Sequence, residues 1–127
     1  MLTDPQSGLE LPAPYPWLQK QGFKLPLPWK FLESARESER LRQEFRNRLV
    51  ETIPVRDLFP FAACQSPTEV AGFVVQGGSP TPQVVSFNLR QAQNPEPSGW
   101  PGYRVHDDLW AWLRDQVLED ARRAERA

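Results

Sequence analysis

Apolar residues change their spacing several times along the chain, and each change marks an element. Residues 1–13 carry no hydrophobic period and are predicted to form an extended arm ahead of one domain spanning residues 14–124. A short helical turn is predicted from Tyr15 to Gln21, with Gly22 ending it. Pro28 suits a first helical position, and the following WKFLESARESERLRQEFRNRLV holds neither glycine nor proline. It predicts one long helix whose only weak point lies near Ser38. At helical spacing Phe31, Ala35, Leu41, Phe45 and Leu49 share roughly a third of the circumference, the stripe of a helix lying on a core.

The middle of the chain reads with a period of two. In PQVVSFNLR, Val85, Phe87 and Leu89 alternate with Val84, Ser86 and Asn88, which predicts a strand with one wet face. EVAGFVV is almost continuously apolar, as expected of a central strand covered on both sides. The intervening QGGSPTP predicts a hairpin loop longer than two residues. Shorter strands are predicted at Leu58 to Ala62 and at Tyr103 to Val105.

Helical spacing returns after Asp107 and Asp108, either of which can accept hydrogen bonds from the free amides of a first turn. The helix is expected to reach about Arg123. Leu109, Trp110, Leu113, Val117 and Ala121 are assigned to its buried face, and Arg114, Asp115, Glu119 and Arg122 to its polar face. Trp110 is thus expected in the core. The elements together predict an α+β fold.

Composition narrows the function classes. The chain has 127 residues, 39% apolar and 24% charged, which suits a single soluble globular domain and argues against extensive disorder. Fifteen basic and sixteen acidic side chains leave a net charge of -1, so no global field draws the protein to nucleic acid or to anionic lipid. The five arginines from Arg36 to Arg48 alternate with Glu33, Glu37, Glu39 and Glu44 at spacings that pair side chains on a solvated face. The uncharged run from Val70 to Leu89 contains QGGSPTPQ, which cannot cross a membrane as a helix. One cysteine, Cys64, excludes an internal disulfide, and one cysteine with one histidine excludes the usual zinc ligand sets. With no signal-peptide pattern at the N-terminus, a reducing, cytoplasmic location is expected.

Candidate chemistry is sparse. His106 with Asp107 or Asp108 is the only group that could seed a catalytic triad, but neighbours at a helix start point in different directions, so a histidine beside a helix cap is expected instead. Gly77 and Gly78 precede SPTPQ rather than a helix with a lysine, so no phosphate-binding loop is expected. No catalytic, cofactor-binding or metal-ligating residue is assigned. Trp100 and Tyr103 stand in the turn-rich SGWPGY, either tucked over the edge of the core or displayed to a partner.

The order of RDLFPFAACQ, EVAGFVV, PQVVSFNL, SGW and LWAWLRDQVLED resembles the SUKH superfamily, the Smi/Knr-type domain of bacterial immunity proteins and of a fungal cell-wall-assembly regulator. The similarity covers roughly residues 52–120. It rests on Leu58, Pro60, Phe61 and Ala62, on the two-strand unit from Val70 to Leu89, on Ser98, Gly99 and Trp100, and on Leu109, Trp110, Trp112 and Leu113. The chain departs from the family where relatives carry a short acidic run: here SPTEV has only Glu69. The resemblance implies a curved, mostly antiparallel sheet with flanking helices. It also implies a non-catalytic protein-binding role, either neutralising a cognate toxin domain inside the cell or acting as a regulatory scaffold with several weak partners. Trp100, Tyr103 and Glu69 are the expected partner contacts, because a few aromatic and charged anchors dominate most interfaces.

Overall fold

The structure, a computed structural model, describes residues 11–47, 55–64, 69–88 and 104–126. Five antiparallel strands form one sheet in chain order, β1 (Trp29–Phe31), β2 (Leu58–Cys64), β3 (Glu69–Gln76), β4 (Ser79–Asn88) and β5 (Arg104–His106). Helix α1 (Tyr15–Lys20) precedes β1, and α2 (Ala35–Asn47) connects towards β2. The C-terminal helix follows β5 as α3 (Leu109–Trp112), a π-helical turn (Leu113–Val117) and α4 (Leu118–Arg126). The expected α+β architecture in a single domain is therefore present.

Helices cover both faces of the sheet. Ser86 and Phe87 are neighbours in β4 and so project to opposite sides. Phe87 meets Phe45 of α2 at a ring-centroid distance of 5.1 Å, whereas the Ser86 hydroxyl bonds Gln116 in the C-terminal helix. Val84, Val85, Ser86 and Phe87 are all buried, so the wet face expected for β4 does not exist. The alternation was real, but a second helix layer dries the side on which Ser86 lies.

Three further expectations are corrected. The single long helix from Pro28 is instead strand β1, a short connection and α2. Trp29, Lys30 and Phe31 pair with Cys64, Ala63 and Ala62, a long-range ladder that outweighs local helix propensity. Phe31 and Ala35 thus leave the predicted stripe, while Leu41 and Phe45 keep their places in the core; Leu49 lies outside the described residues. The helix boundary is marked by Ser34, whose Oγ accepts the Glu37 amide at 3.3 Å at the head of the SARE segment.

The hairpin between β3 and β4 is also tighter than expected. Gly77 and Gly78 form a two-residue turn between the paired residues Gln76 and Ser79, with φ of 60° and 80°. Two successive left-handed residues match the twist of a hairpin and favour glycine at both places. SPTPQ accordingly belongs to β4. Gly72 serves a different need: a Cβ there would approach Leu58 Cδ1 to 2.6 Å and the Phe59 carbonyl oxygen to 3.0 Å, so its lack of a side chain permits the β2–β3 packing.

In the C-terminal helix the buried stripe is Leu109, Trp112, Leu113, Gln116 and Val117. Trp110, expected in the core, is 51% exposed, and Trp112 is fully buried. These positions follow i, i+3, i+4, i+7 and i+8 spacing, and the polar Gln116 within that series made the competing Trp110 series read as more apolar. Asp108 is the cap, accepting the Ala111 amide at 2.8 Å. Arg114, Asp115, Glu119 and Arg122 are exposed as expected.

A bulge at Phe61, between Pro60 and Ala62 in the pairing with β3, accompanies the central aromatic cluster. Phe61 stacks on Phe73 at 4.5 Å and meets Tyr15 and Trp112 edge-on. Leu11, within the stretch read as an arm, is also in this core, while residues 1–10 lie outside the described residues. Among the described residues, no helix is long and apolar enough to cross a membrane.

Candidate functional site

A buried polar cluster sits where β3, β4 and β5 meet the C-terminal helix. Its centre is the Gln116 carboxamide, placed inside the π-helical turn, a feature frequent at functional positions in helices. Gln116 Nε2 donates to Glu69 Oε2 at 2.7 Å. That leaves Oε1 as the acceptor, and it receives the Ser86 hydroxyl at 2.6 Å and faces His106 Nε2 at 3.2 Å. For this last contact to be a hydrogen bond, the neutral imidazole must carry its proton on Nε2. Ser86, His106 and Gln116 are buried, whereas Glu69 is half-buried.

Each member reaches the cluster for a local reason. Glu69 opens β3, and β4 and β5 place Ser86 and His106 on the same side of the sheet, with His106 opposite Val84. Burial pushes the Glu69 carboxyl above its ordinary range, and the nearby Asp120 charge adds to the effect; Arg104, the Gln116 hydrogen bond and Arg123 pull partly the other way. Burial also lowers the His106 pKa, and the Gln116 bond and Asp115 only partly restore it. The imidazole is therefore held neutral near pH 7.

Asp120, whose charge acts on Glu69, is tied to the opposite sheet edge, its Oδ2 accepting the Trp29 indole N–H at 2.8 Å. Trp29 in turn stands edge-on to Trp112 at 5.2 Å. The Trp112 indole nitrogen is buried and has no hydrogen-bond partner among the described residues.

Two residues singled out in the sequence, Glu69 and His106, are thus joined through Gln116, which sequence reasoning missed together with Ser86. The available signal was a glutamine recurring within an otherwise apolar i, i+3, i+4 series. Trp100 and Tyr103 lie outside the described residues. Cys64 is buried in β2. The arginines of α2 pair only in part with the interleaved glutamates: Arg40 reaches Glu44, but Arg42 and Arg46 both converge on Asp57 just before β2, at 2.6 and 2.8 Å. Burial raises the Asp57 pKa, but the two arginines outweigh it and hold the carboxyl below its usual value.

Chemically, the carboxamide saturates the groups that a hydrolytic centre would need to combine. The Ser86 hydroxyl donates to an amide oxygen rather than to the imidazole, and His106 Nε2 faces the same oxygen. No nucleophile–base bond is formed in this cluster. The arrangement instead fixes the C-terminal helix against three strands, while Glu69 Oε1 has no partner among the described residues. No three or more His, Cys, Asp or Glu side chains group as metal ligands among the described residues. The chain matches no protein-family model, no curated protein and no solved structure.

Proposed function

We propose that the chain is a SUKH-type, non-catalytic protein-binding domain that neutralises a cognate bacterial toxin in the cytoplasm of the producing cell. The observation that carries this reading is the Gln116-centred cluster, which commits the serine and the histidine most suited to catalysis to a carboxamide and so to structure. The resemblance supports it from a second direction. Its LFPFA segment, two-strand unit and LWAWL helix occupy adjoining strands and the helix packed on them.

Function then belongs to the exterior. Trp110 joins Trp100, Tyr103 and the free oxygen of Glu69 as candidate anchors, since a large ring that is half-exposed at rest gains most by burial against a partner. Co-expression with a toxin-type protein encoded beside this chain tests the reading. Restored growth and a stable 1:1 complex are expected, and Trp100→Ala should weaken that complex. Growth arrest undiminished by the chain overturns the reading, whereas several weak partners without rescue favour a regulatory scaffold.

A further inference from the structure

β1 is an edge strand, and its hydrogen bonds to β2 reveal what its outer side offers. The Leu32 amide donates to the Phe61 carbonyl at 2.9 Å, which makes Phe31 and Ala62 a pair that exchanges no hydrogen bonds directly. By the antiparallel alternation, the N–H and C=O of Phe31 and the C=O of Trp29 therefore point away from β2. The Trp29 amide is already used, donating to the Pro26 carbonyl at 3.1 Å. No described strand pairs with this outer edge.

A groove of about 640 Å³ runs beside the same strand, between it and the segment that follows α1. Leu27 and Phe23 line it at 69% and 39% exposure. Its charged lining residues, Lys24, Lys30, Glu33 and Glu37, make no ion pair among the described residues. Open backbone donors and acceptors select an extended polypeptide over a helix or a membrane surface, because only another strand can satisfy them in register.

We propose that the outer edge of β1 and its groove dock an extended segment of a partner protein by strand addition, with an apolar–acidic–apolar sequence opposite Trp29, Lys30 and Phe31. The inference rests on the protein-binding reading above and names how the partner is held. An antiparallel strand satisfies Phe31 through both its groups and Trp29 through its carbonyl. Strand alternation sets residues opposite Trp29 and Phe31 on the aromatic side, where Phe23 meets Phe31 at 6.4 Å. The residue opposite Lys30 lies on the other side, where an acid complements the ammonium. A second copy of this chain fits worse: antiparallel self-pairing centred on this strand opposes Lys30 to Lys30, a repulsive cross-strand pair.

The probe is a synthetic peptide, Thr-Val-Glu-Val-Thr, compared with Thr-Val-Lys-Val-Thr, titrated into the full-length ¹⁵N-labelled chain. The acidic peptide is expected to shift the Phe31 and Leu32 amide signals and to bind about fivefold tighter than the basic one. Lys30→Glu, an exposed substitution, should invert that preference while leaving the unliganded spectrum folded. Shifts that avoid β1, an unchanged preference in Lys30→Glu, or no binding by either peptide overturns the proposal. So does dimerisation of the free chain through β1 that blocks the peptide. Because no toxin is present, a negative result leaves the neutralisation reading standing, and a failed rescue of growth leaves a positive peptide result intact.

Discussion

The two sides of the sheet are held by different physics. On the α2 side, among the described residues, Leu41 and Phe45 are buried apolar contacts, the Ser38 hydroxyl reaches the Pro60 carbonyl at 2.6 Å, and Arg42 and Arg46 pair with Asp57. On the other side, the C-terminal helix combines a fully buried indole with a four-residue polar cluster in the same layer. The first side depends mainly on apolar contact, which is non-directional. The second requires one helix orientation, because a rotation that preserved burial would still break three bonds to Gln116.

The sharpest break in this comparison is Trp112→Ala. The substitution should cost about 3 to 5 kcal/mol through the cavity it leaves, read from urea unfolding. A loss below about 1 kcal/mol would contradict the packing of Trp112 between Trp29 and Phe61. Next in size is Gln116→Leu, which keeps the volume but strands Ser86, His106 and Glu69. It should cost about 2 to 3 kcal/mol, more than its counterpart across the sheet. That counterpart is Ser38→Ala, expected to cost about 1 kcal/mol for one lost hydrogen bond. Equal losses at Gln116 and Ser38 would erase the distinction between a hub and a single bond.

Acid should separate the two sides without any substitution. The lowered His106 pKa contributes stability that is present above 6.5 and is lost as pH falls below it towards the folded value. Glu69 acts in the opposite sense: its raised pKa gives stability that is present below 4.5 and is lost as pH rises through the folded value. The α2 side responds only in stronger acid, because Asp57 contributes stability above 3.8 that disappears as its lowered folded pKa is crossed. The His106 contribution to melting temperature should therefore begin to fall below 6.5, and His106→Asn should remove that limb alone. Persistence of the drop in this variant would assign it to another group. The smallest effect is expected from Trp110→Ala, within about 0.5 kcal/mol as for other surface changes, despite lying two residues from the largest.

Period alone sufficed where neighbours in space were also neighbours in pattern. The core positions Leu41 and Phe45, the central strand β3 and the strands β2 and β5 all followed from residue spacing, whereas the cap was narrowed only to Asp107 or Asp108. It failed where a distant partner decided the outcome. Trp29 to Phe31 became a strand because β2 lay open to them, which helix-forming neighbours could not disclose. Trp110 and Trp112 compete for the same helix side, and the choice turned on Gln116 finding Ser86, Glu69 and His106, residues from three different strands. The Gly77–Gly78 turn was legible in principle, but the prolines after it read as loop although both lie in β4. Of the candidate site, Glu69 and His106 were visible singly; the carboxamide joining them carried no chemical signature of its own.

Cys64 offers a clock. It is the sole thiol in the chain, it is buried, and its backbone is directly opposite Trp29 in the outermost strand. A thiol reagent can react only after the local structure around that sulfur opens, so the labelling rate times such openings on the native protein. Anything bolted alongside Trp29–Phe31 should slow the clock, whereas a ligand seated at the far margin of the sheet should leave it ticking at its resting pace.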